Sequence, residues 1–177
     1  MNLFDFAKSE LIRSNADRRH PFRFFSLATL GVYPEVRTVV KRKFAMDWSV
    51  LFFTDSRTPK VMQLKNDPKV TALFYHPKKQ LQIRLKGLAE IISVGEEFEK
   101  YYQQIQQSKS IKDYTTQAPP GTEISNEFEV IYGDDIHFLP IKIIPQKIDI
   151  LQLNRTQHLR SSYEINDGEW MASKLVP

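Results

Sequence analysis

Cysteine is absent from the 177 residues, which excludes disulfides, thiolate metal sites and a cysteine nucleophile. Long apolar runs are missing too. Met1 to Ala16 contains Asp5 and Glu10, so the start reads as neither a secretory signal nor a membrane span, and a cytoplasmic protein is the expectation. No nucleophile elbow, P-loop or G-x-G-x-x-G occurs. His20, His76, His137 and His158 are dispersed without metal-ligand spacing, so no metal site is expected. Asp134-Asp135 reads as a turn rather than a catalytic pair. The formal net charge of +4 is modest and mixed along the chain. It makes no demand for nucleic acid, although a phosphorylated ligand would suit it. Cations, hydroxyls and aromatics without an acid–base or nucleophile set fit a cofactor that carries the chemistry itself.

What is present is mostly strand. A chain of this length can bury about 70% of its unfolded surface in one core, and no break in composition marks a linker, so one domain over 1–177 is expected. Leu3, Phe6, Ala7, Leu11 and Ile12 recur at helical spacing and predict an N-terminal helix ending before Asp17. Strands are predicted at Phe22 to Leu30, Val36 to Phe44, Ser49 to Thr54, Val70 to Tyr75 and Gln80 to Gly87, the last running on to Ile92. A helix carrying Phe98, Tyr101, Tyr102 and Ile105 follows, and Ser108 to Asn126 has no firm period and reads as a long loop. Further strands are predicted at Phe128 to Tyr132, Ile136 to Leu139, Ile141 to Ile144, Ile148 to Leu153 and Ser161 to Ile165. Asn166-Asp167-Gly168 then turns the chain into Glu169 to Leu175. Many short strands with few helices argue for an antiparallel barrel, a mainly β fold with flanking helices.

Val36 to Phe44 draws the eye because it mixes β-branched residues with four cations. A period of two puts Arg37, Val39 and Lys41 on one face and Thr38, Val40 and Arg42 on the other. Both faces are basic, which is poor core material unless an anion sits beside the strand. The next element supplies a place for one. After the apolar strand ending Phe53-Thr54, the segment Asp55-Ser56-Arg57-Thr58 leads to Pro59 and a helical pattern through Val61, Met62 and Leu64. Thr58 is the natural N-cap with Pro59 at the first helical position. Unpaired amides, a hydroxyl, Lys60 in the first turn and Arg57 before it converge as a phosphate needs. A capped surface helix with solvated lysines is the plainer reading of the same residues.

The order R-T-V-V-K-R, F-F-T, T-P-K, N-D-P and Q-L-Q-I-R-L-K-G-L-A-E resembles the FMN-binding split barrel of the pyridoxamine 5'-phosphate oxidase type, over roughly residues 20 to 92 and weakly again from Pro145 to Pro177. The resemblance implies a homodimeric FMN flavoprotein and oxidoreductase. By position, Arg37 matches a contact to the flavin phosphate, and Arg42 a cation near the isoalloxazine, where the family usually has lysine. Val39 offers backbone groups to the ring, Phe53 and Thr54 line the cofactor, and Thr58 and Lys60 match phosphate contacts. Gln82 matches a glutamine that reaches the flavin across a dimer interface, and Arg160 a C-terminal arginine of the same pocket. Other positions depart from the oxidases. Gln157-His158-Leu159-Arg160 stands for their Arg-x-His, Leu151 for a tryptophan, and the helix around Tyr102-Gln103-Gln104 lacks their arginine for the substrate phosphate. The expectation is an FMN protein of unknown substrate. Its rival is a non-catalytic module that holds another phosphorylated ligand or a nucleic acid through Arg37, Lys41, Arg42 and Lys60.

Overall fold

The computed structural model describes residues 2–124 and 130–177. Its frame is a ring of six antiparallel strands: β1 (Phe24–Leu30), β2 (Pro34–Phe44), β3 (Val50–Asp55), β4 (Lys69–His76), β5 (Leu81–Ile91) and β6 (Phe138–Gln152). The sheet runs β3-β2-β1-β4-β5-β6, and a β3–β6 pairing closes it. Closure removes the sheet edges that would otherwise expose unpaired backbone. β7 (Leu159–Asn166) and β8 (Glu169–Lys174) continue outward from β6. Three α-helices flank the ring: α1 (Leu3–Arg13), α2 (Pro59–Asn66) and α3 (Glu96–Gln106). Inward side chains alternate along the strands as the period of two requires, and Phe25, Leu27, Phe52, Phe74, Ile83, Leu85, Ile141 and Ile150 are buried between them.

The three strands predicted between Ile136 and Leu153 are one strand of 15 residues, β6. Pro140 and Pro145 suggest breaks, since proline removes a ladder donor. Pro145 instead lies where the β5–β6 register shifts, opposite Gly87. A Cβ on Gly87 would stand 2.1 Å from the Ile144 carbonyl oxygen, so only glycine allows the two backbones to meet and the strand to continue. The first strand starts at Phe24 rather than Phe22, because Pro21–Arg23 is a 3-10 turn whose Phe22 amide is accepted by His20 Nδ1. Ser108 to Asn126 is not wholly irregular: Lys109–Tyr114 forms a 3-10 helix, while 125–126 fall outside the described residues. Of the strand predicted at Phe128 to Tyr132, residues 128–129 also fall outside, and Tyr132 forms only an isolated bridge with Thr116.

The structure brings His20 and His76 together around Glu10 of α1. The buried Glu10 carboxylate accepts from Lys79 at 2.6 Å, His20 Nε2 at 3.2 Å and Arg13 at 2.9 Å, with His76 Nε2 at 4.0 Å. Each imidazole Nδ1 accepts a backbone N–H, from Phe22 and Lys79, which puts the ring proton on Nε2. A metal-binding histidine needs the opposite arrangement, a free nitrogen toward the metal and an N–H toward a second acceptor. The cluster therefore reads as an ionic lock that fastens α1 to the barrel. Among the described residues, no helix is long and apolar enough to cross a membrane.

Candidate functional site

β2 and β3 lie side by side with Lys41 opposite Phe52, and α2 begins four residues after β3 ends. This short connection sets β2, the end of β3 and the start of α2 around one groove of about 300 Å³. Arg37, Val39, Arg42, Phe53, Thr54, Thr58 and Lys60 all line it. Seven of the nine residues singled out from sequence thus meet in one place.

One end of the groove gathers cations and hydroxyls. Lys60 Nζ donates to Thr54 Oγ1 at 3.0 Å, and Thr58 Oγ1 lies 3.3 Å from the same oxygen. Burial, and next the charge of Arg37, push the Lys60 amine below the usual lysine range, with Asp55 acting in the opposite direction. Arg37 is held in place by Glu35, at 2.8 Å, and by Thr29 and Gln63. Two cations that face one groove, one of them lowering the amine of the other, are an arrangement that a bound dianion relieves.

The other end is aromatic. The Arg42 guanidinium sits 5.3 Å from the centroid of Phe53, and Tyr114 is buried against Phe138 with its phenol pushed up by burial, which Arg42 partly counters. Asp113, Tyr114 and Pro120 close this side, and sequence reasoning missed all three because their segment has no period to read.

Two expectations need correction. Arg57 is not free for a phosphate: it donates to Asp55 at 2.7 Å and to the carbonyls of Thr116 and Gln117 at 2.8 and 3.0 Å, so it fastens the 113–120 segment to the start of α2. Thr58 stands at the N-cap of α2 but makes no side-chain cap bond, since its hydroxyl donates to the Asp55 carbonyl instead. Lys41 also leaves the rival module a cation short. It is 5% exposed, faces inward and donates to Asn15 Oδ1 at 2.7 Å.

Gln82 and Arg160 are elsewhere on the protomer. The register aligns Tyr75, Gln82, Leu151 and Arg160 in one row across β4, β5, β6 and β7, with Leu73, Arg84, Asp149 and Ser162 in the next row on the same face. Asp149 is buried between Arg84, at 2.8 Å, and Arg160, at 3.0 Å. Its burial raises the carboxyl, but the two guanidiniums more than offset this and hold it below the usual range. Neither Gln82 nor Arg160 lines the groove of its own chain.

Comparison with known proteins fits this geometry. Residues 6–93 match the family model "Pyridoxamine 5'-phosphate oxidase, FMN-binding domain". A pyridoxine/pyridoxamine 5'-phosphate oxidase of Aliarcobacter butzleri is 32% identical over 171 residues, covering 86% of this chain and 79% of the relative. The chain belongs to the pyridoxamine 5'-phosphate oxidase family. A second relative, "Pyridoxine/pyridoxamine 5'-phosphate oxidase 2" of Hydrogenovibrio crunogenus, is 26% identical and covers 96% of this chain and 82% of its own. Among solved structures, a pyridoxamine 5'-phosphate oxidase-related, FMN-binding protein of Nostoc punctiforme superposes with a TM-score of 0.77 at 22% identity, covering 100% of this chain and 99% of that one. PhzG of Burkholderia lata, in complex with tetrahydrophenazine-1-carboxylic acid, has a TM-score of 0.73 at 19% identity, covering 98% of this chain and 92% of that one. These likenesses establish the split-barrel fold.

The cofactor of this family is FMN. The groove fits it in kind: cations and hydroxyls for a phosphate at one end, and aromatic and backbone surface for a planar ring at the other.

Proposed function

We propose that this protein is a cytoplasmic, homodimeric FMN-dependent oxidoreductase, built as one domain, in which each flavin is held by both subunits. The observation that carries the cofactor site is that Arg37 and a half-buried Lys60 line one groove, with the Thr54 hydroxyl the only hydrogen-bond partner of the Lys60 ammonium among the described residues. Bound FMN supplies hydride or electron transfer, and the protein supplies binding and orientation. Arg37 and Lys60 hold the phosphate where Thr58 lines the groove; Phe53, Thr54 and the Val39 backbone position the ring, and Arg42 sets a fixed positive charge beside it. Gln82 and Arg160 reach the flavin of a second copy, because their row lies on a face apart from the groove of their own chain. A groove of about 300 Å³ is at the small end for a ligand site, as suits one completed by a partner.

The substrate is not fixed by the fold, since the PhzG structure holds a phenazine acid rather than a phosphorylated amine. Where the oxidases resembled would place cationic or imidazole groups for the substrate phosphate, this chain has Gln104, Gln157 and Leu159. The test is a paired titration with FMN and riboflavin, read by flavin fluorescence and by melting temperature, which a ligand of the native state must raise. FMN is expected to bind at least tenfold more tightly than riboflavin. Equal affinities, or no response to FMN, would refute the phosphate assignment.

A further inference from the structure

Beside the cofactor groove lies a second cavity of about 420 Å³, roofed by residues 116–124 and by Val130 and Ile131. The two share Asp113 and Pro120, so whatever fills the second is a direct neighbour of whatever fills the first. Its lining is mainly apolar: Ala118, Pro119, Pro120, Ile124, Val130 and Ile131. Its charged groups are two carboxylates, Asp113 and Glu123, and no Lys, Arg or His is among the described residues that line it. Arg37, Arg42 and Lys60 line the neighbouring groove rather than this cavity, and two further cations close by are committed elsewhere. Arg57 is bound to Asp55, Thr116 and Gln117, and Lys112 lies over the Tyr132 ring at 5.9 Å.

The roof is a built wall. The Gln117 amide donates to the Ile131 carbonyl at 2.8 Å and the Gly133 amide to the Thr115 carbonyl at 2.7 Å, while Arg57 ties the same strip to α2. Ile124, Val130 and Ile131 stay more than half or about half exposed around it, at 60%, 50% and 54%. Apolar surface left open on a hydrogen-bonded frame marks a place for a ligand.

We propose that this cavity is the substrate pocket and that it takes a small apolar amine without a phosphate. The hydrophobic body fills the space under residues 118–124, and the ammonium rests against Asp113 at the boundary with the cofactor groove. Charge complementarity decides the class. A phosphate or carboxylate would enter a space whose described lining holds two like charges and no cation, whereas an ammonium gains from both. The proposal rests on the FMN reading for its function but not for its binding, and the two can fail separately.

The experiment is calorimetric titration with 2-phenylethylamine, 2-phenylethanol and phenylacetate, on FMN-loaded protein and on protein without FMN. The amine is expected to bind about threefold to tenfold more tightly than the alcohol, as rim carboxylates contribute on this scale, and the acid most weakly. In the loaded protein, the amine should also perturb the flavin absorbance. Ala118→Trp, which fills the cavity outside the cofactor groove, should weaken the amine more than tenfold and leave FMN affinity unchanged. Glu123→Gln, a milder change, should shrink the preference of amine over alcohol. Equal binding of amine and alcohol, tighter binding of the acid, or an Ala118→Trp protein that folds and still binds the amine overturns the proposal. If FMN does not bind, the amine series on the cofactor-free protein still decides it, and only the flavin reading is lost.

Discussion

Lys41 offers a direct measurement of what a buried charge costs this barrel. Its ammonium is 5% exposed, its hydrogen-bond partner is the neutral carboxamide of Asn15, and burial pushes it from 10.5 down to about 8. Below about pH 8 the amine is protonated in both folded and unfolded chains, and the folded state carries the full cost of the charge. Above about pH 8 the folded protein releases the proton while the unfolded chain still holds it, so stability rises with pH until the unfolded value is passed. The fall from 10.5 to about 8 corresponds to about 3 kcal/mol in total, of which about 2 kcal/mol is recovered between about pH 7 and pH 9.5. Lys41→Met keeps the length of the side chain and removes the titration. Asn15 Oδ1 still accepts the Phe44 amide at 2.9 Å in that variant, so the lost bond adds a constant of about 1 kcal/mol that does not change with pH. Urea unfolding of both proteins at the two pH values isolates the effect as a double difference, free of other titrating groups. The wild type should gain about 2 kcal/mol on the variant as pH rises. A gap that stays constant to within about 0.5 kcal/mol would show that water or a local opening already solvates Lys41, and the argument would fail.

Lys60→Ala and Arg37→Ala should each weaken FMN by about ten- to a hundredfold and riboflavin far less, as loss of a charge-assisted bond to phosphate requires; equal losses in calorimetry would assign both residues to the ring or the fold. Glu10→Gln removes the charge that Lys79, His20 and Arg13 bind and should destabilise the protein by about 2–4 kcal/mol in urea unfolding. Burial raises the Glu10 carboxyl, but these donors bring it below its usual value, so its contribution is present at neutral pH and lost as pH falls through the lowered value. Light scattering of the FMN-loaded protein should report a dimer, and Gln82→Ala should weaken FMN without altering the protomer's own groove; a monomer with FMN bound sinks the shared site. Aerobic assay with pyridoxamine 5'-phosphate, following peroxide, should give turnover far below about 1 s⁻¹, the low end for ordinary enzymes; a rate near that value restores the oxidase assignment.

The part of the site that could be read from sequence is the part made by neighbours in sequence. Arg37 to Lys60 is one run of strand, strand and helix start, and each element announces itself locally through a period of two, a proline at the first helical turn or a break in polarity. Period alone placed Arg37, Val39 and Lys41 on a common face, and the structure agrees. It did not say that this face turns inward at Lys41, because that depends on α1 and Asn15 packing over the strand from 26 residues away. Arg57 looked like a phosphate ligand for the same reason: its true partners, Thr116 and Gln117, lie 59 and 60 residues further on. Prolines 140 and 145 read as strand breaks until the glycine opposite one of them is seen to make room.

The remainder of the site is assembled across distance, which explains the order in which its pieces become legible. Tyr114 and Asp113 reach the groove from a segment whose shape comes from Arg57 and from single bonds such as His137 N–H to the Tyr114 carbonyl, and none of these leaves a pattern in the chain. Gln82 and Arg160 are fixed relative to each other by the Gln82–Leu151–Arg160 register, with Asp149 between Arg84 and Arg160 to hold the guanidinium in place. That row has the rigidity of a sheet, and Gln82 and Arg160 do not line the groove of their own chain. In the proposed homodimer, the half-site on β2, β3 and α2 and the polar row on β5 to β7 are the two halves that a two-fold axis would bring together, so that one chain supplies both.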